Sequence, residues 1–149
     1  DGNRAAADSG WIALAAVSRP FLFGRPLEWQ ARIAAASGDR ARAVALQAAA
    51  RRVRVDRSLG RYVVALAEAT RRHPSVGLGC SPRGSLMLFR AAQARALLEG
   101  RAYAVPEDVA AQAVTVLAHR LGLETKARYT GVSKEDVVRE VLDAVAVPA

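Results

Sequence analysis

Three adjacent residues in this chain combine into a place where an anion could be held. Ser81, Pro82 and Arg83 stand at the start of a helix pattern. Serine suits the N-cap and proline the first helical position. The N–H groups of a first turn have no partners within the helix and carry partial positive charge. Anions are favoured there. Arginine at the second helical position adds a planar guanidinium whose fork matches phosphate oxygens. The same residues also make an ordinary capped helix with a solvated arginine. Local signals leave both uses open.

Other reactive side chains are few. The single cysteine, Cys80, directly precedes Ser81. A thiol near a helix start can gain thiolate character, but the expectation here is a small packed loop residue. One cysteine excludes an internal disulfide framework and a cysteine-based zinc site. The two histidines, His73 and His119, are far apart and lack a nucleophile partner. His73, beside Pro74, reads as a capping or hydrogen-bonding residue. His119 and Arg120 read as a structural helix end. No His-Glu-x-x-His pattern and no Gly-x-Ser-x-Gly elbow occur. Nucleotide hydrolysis needs a glycine-rich loop ending in Gly-Lys-Ser/Thr and a carboxylate pair on a strand. Only two lysines occur, Lys126 and Lys134, and no glycine-rich loop precedes either. No residue is assigned as catalytic or as a metal ligand, and the chain alone is expected to catalyse nothing.

A loop between two long helices must deliver Arg83. The run from His73 to Gly84 holds two prolines and three glycines, which break a helix. Before it, Asp56 is expected to cap a helix to about Arg72. Leu59, Tyr62, Val63, Leu66 and Thr70 recur there at helical spacing and define one buried face. After it, the Ser81-capped helix is expected to reach Glu99, with Gly100 as its stop. Leu86, Phe89, Gln93 and Leu97 form its expected buried stripe, with Ala92 and Ala96 beside it. Arg83 and Arg90 share another stripe.

The flanking segments follow the same logic. Residues 1–25 form a poorly defined arm, with Phe21-Leu22-Phe23 as a short strand or anchor. Pro26 to Ser37 reads as a helix. Asp39 opens a second helix to about Arg51, with Val44 and Leu46 as its apolar contacts. Arg51-Arg52-Val53-Arg54-Val55 is extended or a short edge strand, and a short extended pair near Val53 and Tyr103 is expected. Tyr103 reads as a core anchor. Pro106-Glu107-Asp108 starts a helix that Gly122 closes. Leu123 to Val132 reads as a polar link. Ser133 and Asp136 form a box-like start for the last helix, which buries Val137, Val138, Val141, Leu142 and Val145.

Several fragments in this order resemble one family. Ala69-Thr70-Arg71 is followed by His73-Pro74 and then by Leu78-Gly79-Cys80-Ser81-Pro82-Arg83. Glu99-Gly100-Arg101-Ala102-Tyr103, Val105-Pro106-Glu107-Asp108-Val109 and Val116-Leu117-Ala118-His119-Arg120 come next, and Val145-Ala146-Val147-Pro148 ends the series. Together, from about Val53 to Val147, they resemble the C-terminal lid of a MoxR-family AAA+ ATPase, related to the lid of the magnesium-chelatase ATPase subunit. The resemblance implies that Arg83 is the sensor-2 arginine. It would reach the phosphates of ATP, bound as Mg-ATP by a core domain these residues do not include, with Ser81 at the same helix start. It also implies packing against neighbouring subunits of a ring, and chaperone-like action on a client. Two positions depart from the family pattern. The place of the usual small residue before the serine is held by Cys80, and Gly84 replaces the more usual alanine, at a cost to the first turn of up to about 1 kcal/mol.

Length and composition agree with one helical domain over residues 26–149. The chain has 149 residues, 52% hydrophobic but only 5% aromatic. Alanine, leucine, valine and arginine favour closely packed helices. The expected fold is all-α, a small irregular bundle of about six helices. The longest apolar run near the start, Trp11 to Val17, is too short to span a membrane. No signal-peptide pattern is evident, and a cytoplasmic, reducing location is expected.

The net charge is +8 and uneven. Residues 1–60 hold ten basic and five acidic side chains, and residues 61–104 hold seven and two. Residues 105–149 hold five and seven. Such an excess suits an acidic or phosphate-bearing partner, so a basic nucleic-acid-binding domain is the main alternative, ahead of a plain interaction module. Against it, no helix-turn-helix or zinc finger is evident, and the arginines do not gather on one helix.

Overall fold

Aspartates start the first two helices by the same device. In the computed structural model, which describes residues 38–148, Asp39 Oδ1 accepts the Arg42 N–H at 3.0 Å. This begins helix α1, Arg40–Arg52. Asp56 Oδ1 accepts the Ser58 N–H at 2.7 Å and its hydroxyl at 2.6 Å, opening α2, Arg57–Arg72. The arm at 1–25 and the helix expected over Pro26–Ser37 lie outside the described residues.

The face expected of α2 is the face it buries. Leu59, Tyr62, Val63, Leu66 and Thr70 are all buried, joined by Ala67. Leu66 is fully enclosed, so truncation to alanine there should cost about 2–5 kcal/mol. Basic residues Arg71 and Arg72 occupy the last turn, where they complement the carbonyl end of the helix dipole.

After α2 the chain forms β1, Val76–Leu78, then α3, Pro82–Leu98. Helix α4 follows over Pro106–Leu117 and runs into a 3₁₀ turn, Ala118–Arg120. Strand β2 covers Gly122–Leu123. Helix α5, Thr125–Tyr129, is short, and α6 spans Lys134–Ala144. The described residues thus hold six α-helices and one two-stranded antiparallel sheet, with Val76 opposite Leu123 and Leu78 opposite Gly122. The fold is all-α in class, as expected.

The core lies between α2, α3, α4 and α6. Leu66, Leu88, Leu117, Val109, Val137 and Val138 are its largest enclosed apolar side chains. Helices α3 and α4 form the most extensive helix pair. The α3 stripe differs from expectation. Leu88, Ala92, Gln93 and Ala96 face inward with Gly84, Phe89 and Leu97 are half-buried, and Leu86 is 50% exposed. Small side chains on this face let α4 approach closely, and apolar residues all round the helix blur its period. Gln93 is satisfied inside the core, its Nε2 donating to the Val53 carbonyl at 2.8 Å.

Six further expectations are met or revised. The extended pairing is present at Arg54, opposite Tyr103, but Arg51 and Arg52 belong to α1. Arg54 N–H donates to the Ala102 carbonyl, and Ala104 N–H donates to the Arg54 carbonyl, both at 2.9 Å. Tyr103 is half exposed there and is no core anchor. Val44 is mostly exposed, and Leu46 is only half-buried, because α1 lies at the margin of the bundle. Gly122 is no helix stop. It sits in β2, where a Cβ would lie 3.1 Å from Leu78 Cβ, so glycine admits the close strand partner. The polar link contains α5, whose Ala127 is buried. The Ser133 cap and the inward valines of α6 are as expected, with the Asp136 N–H donating to Ser133 Oγ at 3.0 Å.

Candidate functional site

The start of α3 is held from below by the last turn of α2. Thr70 is buried, and its hydroxyl donates to the Ala67 carbonyl at 2.7 Å. The same oxygen accepts the Cys80 N–H at 2.9 Å. Arg71 Nε donates to the Cys80 carbonyl at 2.8 Å. Gly79 makes this approach possible. A Cβ on it would lie 2.6 Å from Arg71 Cα, and helix backbone cannot yield that space. The sheet then ties β1 to the chain that follows α4, so Arg120 comes to the same place.

From this mount α3 begins as expected. Ser81 is extended, with φ −77° and ψ 162°, and Pro82 stands in the first turn. Ser81 Oγ accepts the Gly84 N–H at a long 3.4 Å, while the Ser81 carbonyl accepts Gly84 N–H at 2.8 Å and Ser85 N–H at 3.2 Å. The first turn contains no acidic residue. Arg83 is exposed. Among the described residues its side chain has no ion pair and no hydrogen bond.

Cys80 is fully enclosed. Burial pushes its thiol above the ordinary value, against the opposing charges of Arg71 and Arg120. The sulfur is thus a neutral packed group at neutral pH, as expected of a loop residue. Cys80 and Gly84 meet here. Gly84 is buried, and a Cβ on it would collide with Cys80 Sγ and come within 3.3 Å of Arg120 Cδ. The thiol of Cys80 and the bare backbone of Gly84 fit each other.

The histidines are structural. His73 Nδ1 accepts the Ser75 N–H at 3.2 Å, which leaves Nε2 as the protonated nitrogen that faces Glu140 Oε2 at 3.0 Å. The pair joins the end of α2 to α6. His119 is exposed, with Nδ1 at 3.0 Å from the Thr115 carbonyl, and it also contacts Arg120 Nη1. Arg120 Nη1 donates to the Val116 carbonyl at 3.3 Å. Both thus cap the end of α4.

One charged group was not singled out in the sequence. Asp108 is 1% exposed. Its two oxygens accept Arg101 Nη1 and Nη2 at 2.7 Å each, and one also accepts the Val105 N–H at 3.0 Å. Arg95 Nε lies 3.5 Å away. This fork fixes the start of α4 against the α3–α4 connection. Its signal was an arginine five residues before a Pro-Glu-Asp helix start, and that signal resembles an ordinary solvated first turn. Among the described residues no group of three or more His, Cys, Asp or Glu is placed to hold a metal. No helix there is long and apolar enough to cross a membrane.

Residues 68–141 match the AAA lid domain family. Over 103 residues the chain is 47% identical to the uncharacterised protein YeaC of Bacillus subtilis, covering 69% of this chain and 32% of that protein. It is 39% identical over 103 residues to Chaperone MoxR1 of Mycobacterium tuberculosis, covering 63% of this chain and 27% of that one. A crystal structure of a candidate ATPase from Cytophaga hutchinsonii superposes with a TM-score of 0.68 at 26% identity, covering 72% of this chain and 35% of that one. The chain belongs to the AAA lid domain family, in the branch carried by MoxR proteins. It spans roughly a third or less of the length of these relatives.

Proposed function

We propose that this chain is the lid of an AAA+ ATPase and that Arg83 is its sensor-2 arginine. The observation that carries the reading is the state of Arg83. It is exposed at the second position of a helix whose start Ser81 and Pro82 already specify, and it has no partner among the described residues. An uncompensated cation at a helix N-terminus suits phosphate oxygens. Ser81 is exposed at the same end, and Arg71 and Arg120 flank the residue before it. These residues fit an anionic group.

The ligand is ATP, as Mg-ATP, held by a core domain beyond these residues, and it supplies the phosphoanhydride that is cleaved. Arg83 would place guanidinium donors on phosphate oxygens and neutralise charge as it develops there. The lid would follow nucleotide state because Arg83 contacts the ligand from across the domain boundary. Leu78 and Leu86, 69% and 50% exposed, give apolar surface for the core domain or a neighbouring subunit of a ring. Chaperone-like action on a client protein and a cytoplasmic location belong to the same proposal. The description of the mycobacterial relative as a chaperone supports the former. The test is steady-state ATP turnover in the intact ATPase that carries this lid. Arg83→Ala should lower it about tenfold to a hundredfold, and unchanged turnover refutes the assignment.

A second reading rests on a different surface. Arg51, Arg52, Arg54, Arg57 and Arg61 are exposed, and none forms an ion pair among the described residues. Such a strip suits nucleic acid. Binding of single-stranded DNA that falls steeply between low and physiological salt supports it, and no binding at low salt removes it.

A further inference from the structure

Cys80 is the residue from which the chain enters the start of α3, and both of its backbone polar groups are bonded to side chains of α2. Its N–H donates to Thr70 Oγ1 at 2.9 Å, and its carbonyl accepts Arg71 Nε at 2.8 Å. Thr70 and Arg71 are consecutive, ten and nine residues earlier in the chain. Neither bond belongs to a regular helix or sheet ladder. Thr70 is itself fixed, because its hydroxyl also donates to Ala67 within α2. Gly79 lies directly on Arg71 backbone, which leaves the loop no room to shift toward α2. Arg83 follows three residues after this clamp, with only a serine and a proline between. Pro82 locks its own φ and restricts Ser81. Few soft torsions therefore separate the clamp from the arginine.

The geometry points to Thr70 and Arg71 as positioning residues for Arg83. Through the N–H and carbonyl of Cys80 they set the direction in which α3 starts, and so where the Arg83 guanidinium lies. This inference rests on the sensor-2 reading of Arg83 and adds the residues that aim it. A contact to phosphate is strongly distance-dependent, and a misplacement of about 1 Å can cost as much as a hundredfold in rate. Neither side chain needs to touch the nucleotide for this effect. His73, two residues beyond Arg71, bonds Glu140 on α6, so the clamp is anchored to the far side of the bundle as well.

The experiment is a double-mutant cycle in the intact ATPase, joined to a measurement made without nucleotide. Thr70→Val keeps the shape of the side chain and removes both hydrogen bonds of the hydroxyl. Thr70→Ser keeps the hydroxyl. Turnover is measured for wild type, Arg83→Ala, Thr70→Val and the double variant. Thr70→Val should lower turnover by about threefold to a hundredfold in the wild-type background. It should have no further effect once Arg83 is alanine, and Thr70→Ser should restore most of the loss. In the nucleotide-free protein, amide hydrogen exchange should speed up at Cys80 and Gly84 while Leu66, Leu88 and Leu117 stay protected. An equal loss of turnover in both backgrounds overturns the proposal, as does faster exchange spread over the whole domain or no change at Cys80. If Thr70→Val does not fold, Arg71→Lys runs the same cycle, since Arg71 is exposed and lysine keeps the positive charge while removing the Nε donor to the Cys80 carbonyl. Arg83→Ala alone reads the sensor assignment, and the cycle reads the positioning, so failure of one is told from failure of the other.

Discussion

The sulfur of Cys80 occupies the space that a methyl group on Gly84 would need. Both residues are buried at the start of α3, and each is tolerated because of the other. Gly84→Ala should gain up to about 1 kcal/mol in helix propensity but lose about 1–3 kcal/mol to overpacking. The net expectation is destabilisation. Cys80→Ala opens the space, so the double variant should recover stability, with a coupling of about 0.5–3 kcal/mol. Urea unfolding of the four proteins measures this. Additive effects would show that the two positions do not share the space. Cys80→Ala by itself should leave nucleotide handling in the parent ATPase intact.

Asp108 makes a buried two-pronged contact with Arg101. Its buried carboxylate receives the Arg101 fork and the Val105 N–H. Asp108→Ala should cost about 3 kcal/mol, at the low end for breaking a buried pair, because Arg101 keeps 27% exposure and can reach water. The unfolding midpoint should fall accordingly. A loss below about 1 kcal/mol, the level of exposed pairs, would mean that the fork contributes little.

Two helix starts should weaken in acid. The Asp56 carboxyl is held below its ordinary 3.8, first by the Ser58 hydroxyl and then by the Ser58 N–H. The Asp136 carboxyl is lowered chiefly by the Ser133 hydroxyl. A depressed folded value means the stabilisation is complete above the unfolded value. It is lost as pH falls through the folded one. Asn at position 56 keeps an acceptor for the Ser58 N–H but does not titrate. The stability gap between wild type and Asp56→Asn should therefore be constant from neutral pH to about 5. It should narrow below 3.8. A gap independent of pH down to acid unfolding would contradict this cause.

The parts legible in the sequence are those fixed within one or two helical turns. The α2 stripe from Leu59 to Thr70 and the Ser81-Pro82 start were of this kind, because period and capping are local. The β1–β2 pair was not. It joins Val76 to Leu123, and Gly77 and Gly79 beside it read simply as loop. The inward side of α3 was missed because leucine, phenylalanine and alanine surround that helix, so packing against α4 chose Leu88 over Leu86. The buried Asp108 looked like any acid in a first turn, and only its distance to Arg101 sets it apart. At the site, Ser81 and Arg83 could be named from their types, but the clamp from Thr70 and Arg71 depends on a tertiary approach.

The chain of 149 residues should turn over no ATP by itself, since it holds no phosphate loop. Turnover that copurifies with this polypeptide through stringent purification and disappears on its mutation would contradict that.

Arg83 is proposed to serve the nucleotide and to contribute little to the fold. Thermal melting of wild type and Arg83→Ala, each without and with saturating Mg-ATP, tests it in one measurement on the intact ATPase. Without nucleotide the two should melt together, because loss of an exposed, unpartnered side chain changes stability within about 0.5 kcal/mol. With nucleotide the wild type should gain more, since a tenfold loss of affinity removes about 1.4 kcal/mol of ligand stabilisation. An equal rise for both proteins, or a lower melting temperature of the variant without nucleotide, would return Arg83 to the status of a surface or structural residue.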